Sequence, residues 1–129
     1  MKEKEKIFIV DDDPSARQGL TRLLKTAGYR VKSFATRDQF LESVKPPFSG
    51  CVIMDVRMPG AALKKFPDQL KRKGITMPLI VVTADDDPAA KLNARQMNAA
   101  AFFHKPVDGV ALLDAVEWAL IAQTNQAGV

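Results

Sequence analysis

The chain has 129 residues, of which 47% are hydrophobic and 26% are charged. This length fits one domain, and the composition allows roughly two-thirds of the unfolded surface to be buried, which excludes an intrinsically disordered chain. A net charge of +4 is too small to indicate nucleic-acid binding without a localised patch. The single cysteine, Cys51, and the single histidine, His104, exclude a disulfide framework, a Cys/His zinc site and Cys–His catalysis within one chain.

No segment of the sequence directs the chain to a membrane. Met1–Lys6 alternates Lys and Glu and lacks the apolar stretch of a secretory signal. The longest apolar runs, Ile7–Val10 and Leu79–Val82, are far shorter than the roughly 20 residues of a spanning helix. Together with the cysteine usage, these features predict a cytoplasmic protein that makes no membrane contact.

Five short apolar runs predict β-strands, and helical patterns separate them. The runs are Ile7–Val10, Tyr29–Phe34, Cys51–Met54, Leu79–Val82 and Ala101–Phe103. Helical spacing is seen at Leu20, Leu23, Leu24 and Ala27, and again at Leu112, Leu113, Val116 and Leu120. Apolar strands that alternate with helices are typical of a parallel sheet covered on both faces. The sequence therefore predicts a doubly wound (βα)5 domain of the α/β class.

Helix start and stop signals agree with this assignment. Asp13–Pro14 and Asp87–Pro88 each place a capping carboxylate before a first-turn proline, and Thr36 with the glutamine three residues later forms a capping box. Gly28 and Gly74 are expected to end the first and third helices. Residues 123–129 are small and polar, so we expect the domain to span 1–122 and the remainder to be a frayed tail or the start of a linker.

Polar residues follow four of the strands at the carboxyl edge of the sheet, where open parallel sheets bind ligands. They are Asp11, Asp12 and Asp13 after strand 1, Asp55 after strand 3, Thr83 after strand 4 and Lys105 after strand 5. Converging carboxylates repel one another unless a cation neutralises them, and oxygen ligands alone favour Mg²⁺ over zinc or copper. Each residue alone has an ordinary structural explanation as a turn, a cap or a solvated lysine. Together they supply the nucleophile, metal site, hydroxyl and cation that phosphoryl transfer needs.

Four segments make the chain resemble the receiver domains of bacterial two-component response regulators over nearly its whole length. They are Val10–Asp13, Met54–Pro59, Val81–Ala84 and Phe102–Pro106, in the order and spacing of that family. The resemblance implies a flavodoxin-like fold with a five-stranded parallel sheet in the order 2-1-3-4-5. It also implies a phosphoprotein that takes part in a phosphorelay and catalyses only its own phosphorylation and dephosphorylation.

The resemblance implies a role for each acidic residue at this edge. Asp55 would accept a phosphoryl group from the phosphohistidine of a sensor histidine kinase. Asp12 and Asp55 would hold Mg²⁺ directly, Asp11 would do so largely through water, and the backbone carbonyl of Arg57 would complete the protein ligands. Asp13 is expected to cap the first helix instead.

The remaining matched residues imply a switch. Thr83 and Lys105 would bind phosphoryl oxygens, and the peptide bond between Lys105 and Pro106 would be cis. Phe102 matches the aromatic that turns inward when the Thr83 hydroxyl moves towards the phosphoryl group. Helix 4, strand 5 with His104, and helix 5 would report this change to an output domain, a downstream protein or a second copy in a phosphorylation-dependent homodimer. Because many receivers precede a DNA-binding domain, the resemblance implies transcription regulation, although these residues contain no DNA-reading helix.

The sequence departs from the family pattern after strand 3. Pro67 falls inside the segment that forms the family's third helix, and an interior proline costs roughly 3 kcal/mol. We therefore expect helix 3 to start near Pro67, with an irregular loop from Arg57 to Phe66 and with Phe66 packed onto the core. Such a loop beside the acidic residues would alter the affinity for Mg²⁺.

Two smaller features complete the pattern. Arg57 and Asp85 lie two positions beyond Asp55 and Thr83, where we expect their side chains to pair across the entrance of the site and screen the phosphoryl group from water. Asn98 stands where the family has a helix-ending glycine, a change that Asn tolerates because it accepts a left-handed conformation.

Two alternative functions are compatible with the sequence. A degenerate receiver would bind partners without phosphorylation, which the altered loop after strand 3 favours. A haloacid-dehalogenase-like phosphatase would use Asp11 as its nucleophile, because Asp11, Asp13 and Ser15 spell Asp-x-Asp-x-Ser after strand 1. That second family also needs a late acidic pair, for which only residues of the last helix remain.

Overall fold

The computed structural model describes residues 5–56, 62–84 and 88–127, in which strands and helices alternate. The elements are β1 (Lys6–Val10), α1 (Pro14–Thr26), β2 (Arg30–Phe34), α2 (Arg37–Ser43), β3 (Cys51–Asp55), α3 (Ala62–Lys73), β4 (Leu79–Thr83), α4 (Pro88–Gln96), β5 (Ala101–His104) and α5 (Gly109–Ala127). Each predicted strand is confirmed to within one or two residues at its ends. Among the described residues, no helix combines the length and the apolar character needed to span a bilayer.

The five strands form one parallel sheet in the order β2-β1-β3-β4-β5, which confirms the predicted doubly wound fold. Val10 of β1 lies level with Met54 of β3, so Asp11 and Asp55 follow at the same height of the sheet. Thr83 of β4 lies level with the last residue of β5, so that Lys105 leaves the sheet beside it. This register brings the carboxyl ends of four strands to one edge.

The sheet divides the apolar core into two layers because alternate side chains of each strand point to opposite faces. The layer under α2, α3 and α4 is rich in aromatic residues, and rings from four elements meet there: Phe8, Phe34, Phe40 and Phe66, with the centroids of contacting pairs 5.6–6.5 Å apart. The layer under α1 and α5 is aliphatic and includes Ile7, Ile9, Leu24, Ile53, Leu112 and Val116. Both faces of the central strands are thereby covered.

The expectation that helix 3 begins near Pro67 is wrong, because α3 runs from Ala62 through Pro67 to Lys73. Phe66 is fully buried, as expected, and its ring lies 6.3 Å from that of Phe40. A helix places Phe66 and Leu70 on the same face, and both pack against the aromatic layer. Burying a phenylalanine contributes about 1.5–3 kcal/mol. That gain, with the packing of Leu70, offsets the roughly 3 kcal/mol cost of the proline. The remainder of the expected loop, 57–61, lies outside the described residues.

Most of the predicted helix boundaries are confirmed. The Asp13 side chain caps α1 by accepting from the backbone N–H of Ser15 at 3.0 Å, and Thr36 caps α2 in the same way. Left-handed residues follow three helices: Gly28 (φ 99°), Gly74 (φ 73°) and Asn98 (φ 58°). The predicted cap Asp87 lies outside the described residues. Helix α5 continues to Ala127, beyond the position at 122 where composition placed the end of the domain.

Candidate functional site

Three carboxylates meet at the carboxyl edge of the sheet. One ligand oxygen from each of Asp11, Asp12 and Asp55 lies within 4.8 Å of the others. Asp11 and Asp55 are 1% and 0% exposed, whereas Asp12 is exposed. Because Val10 and Met54 lie level in neighbouring strands, the register alone brings the next residues, Asp11 and Asp55, together. The convergence predicted from the strand ends is therefore present.

Contacts from three directions hold Asp11. Its Oδ1 accepts a hydrogen bond from the backbone N–H of Asp13 at 2.9 Å, and its Oδ2 accepts one from Lys105 Nζ at 2.8 Å. Its backbone carbonyl accepts a hydrogen bond from Arg17 Nη1 at 2.7 Å. Two donors, one of them an ammonium ion, thus satisfy the buried carboxylate, and a third satisfies the carbonyl of the same residue.

Lys105 is the counter-ion of both buried carboxylates. Its Nζ lies 2.8 Å from Asp11 Oδ2 and 2.9 Å from Asp55 Oδ2, and its side chain is 17% exposed. Burial lowers the pKa of Lys105, but hydrogen bonds and charge from Asp11 and Asp55 outweigh this effect and raise the pKa above 10.5. The peptide bond to Pro106 is cis, as the resemblance implies. Lys105 is therefore an ammonium ion that neutralises much of the acidic cluster.

Thr83 and Phe102 lie next to this cluster on the last two strands. Thr83 is fully buried, and its carbonyl accepts a hydrogen bond from the backbone N–H of Lys105 at 2.8 Å. Phe102 lies level with Val81 in the sheet and is half-buried against the aromatic layer. His104 is exposed at the end of β5. Arg57 and Asp85 lie outside the described residues, so the structure describes neither the Arg57 carbonyl nor the expected pairing across the entrance.

The donor set fits Mg²⁺. Mg²⁺ is commonly held by one or two carboxylates together with several water molecules, and all ligand atoms of the cluster are carboxylate oxygens. The exposed Asp12 leaves one side of the cluster open to solvent, from which those waters would come. Asp11, Asp12 and Asp55 could therefore hold this ion.

Sequence reasoning missed Arg17. The only signal was a cation near the N-terminus of a helix, where the helix dipole disfavours positive charge.

Cys51 takes no part in this site. Burial raises the pKa of its thiol to about 12, so the thiol remains protonated at neutral pH.

Comparisons with known proteins agree with this arrangement. A family model described as the response regulator receiver domain matches residues 7–117. Nodulation protein W of Bradyrhizobium diazoefficiens is 34% identical over 110 residues, and transcriptional regulatory protein FixJ of Azorhizobium caulinodans is 33% identical over 126 residues. The matches cover 85% and 98% of this chain but 48% and 60% of those proteins. The chain thus spans about half the length of the curated relatives that it matches.

Solved structures give the same result. Response regulator StyR is 38% identical with a TM-score of 0.82, and the match covers 96% of this chain and 64% of StyR. Full-length FixJ from B. japonicum is 31% identical with a TM-score of 0.84, covering 98% and 62%. A receiver protein from Burkholderia phymatum is 32% identical with a TM-score of 0.77, covering 91% and 95%. The chain belongs to the family of response regulator receiver domains of two-component systems.

Proposed function

We propose that this chain is a phosphoacceptor receiver in which Asp55 takes a phosphoryl group from the phosphohistidine of a sensor histidine kinase. The observation that carries the proposal is the setting of Asp55. It is a buried carboxylate 2.9 Å from a lysine ammonium and within 4.8 Å of the carboxylates of Asp11 and Asp12. A nucleophile, a cation and a set of metal ligands thus meet at one point.

The proposed reaction exchanges one bond to phosphorus for another. An oxygen of Asp55 attacks the phosphorus, the P–N bond to the kinase imidazole breaks, and its electron pair stays on the imidazole nitrogen. Lys105, already beside Asp55, would shift to pair with a phosphoryl oxygen, and the Thr83 hydroxyl would donate to another. The chain would catalyse only its own modification and its reversal.

Mg²⁺ is the proposed cofactor. Asp12 and Asp55 would hold it directly, Asp11 largely through water, and the backbone carbonyl of Arg57 would add a ligand. When bound, the ion supplies charge neutralisation for the phosphoryl oxygens. Both Asp11 and Asp55 pair with Lys105 in the structure, so this lysine would yield part of its contact with the carboxylates as the site fills.

The surface formed by α4, β5 and α5 is proposed to transmit the signal. Large apolar side chains are exposed on its helices: Leu92 at 55%, Val110 at 72%, Trp118 at 72% and Ile121 at 44%. Aromatic side chains such as Trp118 are enriched at partner surfaces relative to the rest of a protein surface. The half-buried Phe102 of β5 would connect this surface to Thr83 when the site is phosphorylated.

The proposed partners of this surface are an output domain, a downstream protein or a second copy in a phosphorylation-dependent homodimer. Transcription is the output favoured by the names of the relatives FixJ and TdiR, each a transcriptional regulatory protein. We place the receiver at 1–122 and the tail or linker start at 123–129, although α5 continues as a helix to Ala127. The exchange with the kinase would take place in the cytoplasm, without membrane or direct nucleic-acid contact by these residues.

The entrance of the site is proposed to control the lifetime of the phosphoryl group. Arg57 and Asp85, two residues beyond Asp55 and Thr83, would pair and screen it from attacking water. Arg57→Ala and Asp85→Ala should each dephosphorylate faster than the wild type when phosphoryl loss is followed over time. Equal rates for all three proteins would contradict this assignment.

Neither alternative function gains support. The degenerate receiver was favoured by a long irregular loop, whereas α3 begins at Ala62. The phosphatase belongs to a different family from the one whose model matches residues 7–117 of this chain.

Intact-mass spectrometry tests the proposed function directly. Wild-type protein and Asp55→Asn would each be incubated with Mg²⁺ and a small acyl phosphate. We expect the wild type alone to gain one phosphoryl group, in a form that is stable in acid and labile in base. A gain that survives Asp55→Asn would move the acceptor to Asp11, and no gain even from a kinase would restore the degenerate receiver.

A further inference from the structure

We propose that Arg17 is a positioning residue for the acidic cluster: its guanidinium fixes the turn between β1 and α1, so that Asp11 and Asp12 face Asp55. The effect of this positioning on Mg²⁺ binding rests on the proposed function, whereas the positioning itself does not.

Arg17 holds the turn at two points. Its Nη1 donates to the backbone carbonyl of Asp11 at 2.7 Å, a short and charge-assisted hydrogen bond. Its backbone N–H donates to the carbonyl of Asp13 at 3.0 Å, which is the first hydrogen bond of α1. The side chain thus reaches back from the helix to the residue at which the strand ends.

The contact satisfies a backbone group that the sheet does not use. The N–H of Asp11 still bonds to the carbonyl of Phe34 in β2, but β1 ends at Val10. Beyond the end of β1, the carbonyl of Asp11 accepts its hydrogen bond from Arg17 and not from a neighbouring strand, and a buried carbonyl requires a partner. By supplying one, Arg17 sets the direction in which the chain leaves the strand.

That direction determines where the carboxylates lie. The Asp11 carboxylate accepts a hydrogen bond from the N–H of Asp13, so it follows the turn. Asp12 lies between these two residues and is exposed, so no packing fixes its carboxylate. The position of its backbone within the turn is what keeps it within 4.8 Å of Asp55.

An electrostatic role and a positioning role of Arg17 predict opposite changes in Mg²⁺ affinity when the side chain is removed. A guanidinium beside carboxylates repels a second cation, so the loss of its charge alone would strengthen Mg²⁺ binding. Loss of a residue that orients metal ligands weakens metal binding, typically by 10- to 100-fold. The sign of the change therefore separates a positioning role from an electrostatic one.

The experiment is a calorimetric titration with Mg²⁺ alone of the wild type, Arg17→Ala, Arg17→Lys and Arg22→Ala. Arg22 is an exposed cation on the same helix, so its removal reports the effect of charge. We expect about tenfold weaker binding for Arg17→Ala, an intermediate affinity for Arg17→Lys, and wild-type or tighter binding for Arg22→Ala. Binding by Arg17→Ala as tight as that of the wild type would overturn the proposal.

Amide hydrogen exchange of the metal-free proteins gives a second readout. The Asp13 N–H, which is bonded to the Asp11 carboxylate, should exchange several-fold faster in Arg17→Ala and at the wild-type rate in Arg22→Ala. An unchanged rate in Arg17→Ala would overturn the positioning role even if the wild type bound no Mg²⁺. Absence of binding by the wild type would instead contradict the metal assignment of the proposed function.

Discussion

At the scale of single residues, Lys105 controls the charge balance of the site. Lys105→Met would leave Asp11 and Asp55 buried without their shared cation, and removal of one partner from a buried pair costs about 3 kcal/mol or more. We expect the free energy of unfolding at pH 8 to fall by about 3 kcal/mol in urea titrations. Lys91→Met, which removes an exposed lysine of α4, should change it by less than about 0.5 kcal/mol.

The stability difference between the wild type and Lys105→Met should also depend on pH. The pKa of Lys105 is raised above 10.5 in the folded protein, so folding is favoured by its charged form. This contribution is fully present below about pH 10.5 and is lost as the pH rises through the higher folded pKa. The stability difference between the wild type and Lys105→Met should therefore shrink as the pH rises above about 10.5. A difference that stays constant from neutral pH to that range would show that the ammonium charge is not what stabilises the pair.

Two glycines provide a matched test of backbone requirements. Gly50 has a φ of 127°, and an added Cβ would lie 2.0 Å from the carbonyl oxygen of Lys6. Gly50→Ala should therefore destabilise the protein by more than about 2 kcal/mol. Gly19 is exposed within α1, and an added Cβ would meet nothing within 4 Å apart from its own stretch of helix, so Gly19→Ala should stabilise by about 0.5–1 kcal/mol. Thermal unfolding checks both, and a tolerated Gly50→Ala would contradict the close approach.

The sequence predicted some site residues and not others for a physical reason. Asp11 and Lys105 directly follow strands and Asp55 ends one, and parallel strands bring such residues to one edge whatever their side-chain conformations. The contact between Arg17 and Asp11 depends on the rotamer of a long side chain that reaches back across a helix turn. Periodicity carries no information on that rotamer.

At the scale of elements, α3 shows where a local rule gives way to packing. An interior proline does destabilise a helix, by roughly 3 kcal/mol, but that value considers the helix in isolation. Phe66, fully buried beside Phe40, and Leu70 can both reach the aromatic layer only at helical spacing. Tertiary burial therefore determines where α3 starts. No pattern in the sequence predicts how deeply Phe66 is buried.

Pro67→Ala tests this balance. Alanine would restore the N–H that bonds to the carbonyl four residues earlier, so we expect stabilisation by about 1–3 kcal/mol in urea unfolding. Phe66→Ala is the opposing control and should destabilise by about 3–5 kcal/mol. Pro67 also lines a cavity of about 540 Å³ between the ends of α3, α4 and α5. Destabilisation by Pro67→Ala would mean that packing of the ring there outweighs the missing hydrogen bond.

A second contact at this scale joins two helices. The Lys73 ammonium, in the last turn of α3, donates to the carbonyl of Leu41 near the end of α2. Cations near helix C-termini also complement the helix dipole, and Lys73 is one of three basic residues in the last turn of α3. The structure shows that Lys73 acts on a neighbouring helix as well as its own, a relation that depends on the topology.

At the scale of the whole molecule, the fold was predictable because one pattern repeats five times. Apolar runs separated by helices permit few arrangements when crossovers are right-handed, and the resemblance selected the order 2-1-3-4-5 among them. The register that levels β1 with β3 then follows from the core, since a shift of either strand by one residue would turn its own side chain, Ile9 or Ile53, away from the aliphatic layer. The acidic cluster is thus a product of the topology rather than of any single segment.

The same reasoning predicts that Mg²⁺ stabilises the whole domain, because the cluster exists only when β1 and β3 are assembled. A ligand that binds only the folded state adds about 2.7 kcal/mol of stability at a concentration 100 times its Kd. Asp12→Asn removes the exposed ligand but not the buried pairs with Lys105. It should therefore leave the thermal unfolding midpoint without metal unchanged or slightly higher. It should also abolish most of the increase in that midpoint on addition of Mg²⁺. Asp38→Asn, at an exposed position in α2, should keep the full gain. Thermal unfolding with and without Mg²⁺ measures all three proteins, and an equal gain for Asp12→Asn and the wild type would place the ion away from this cluster.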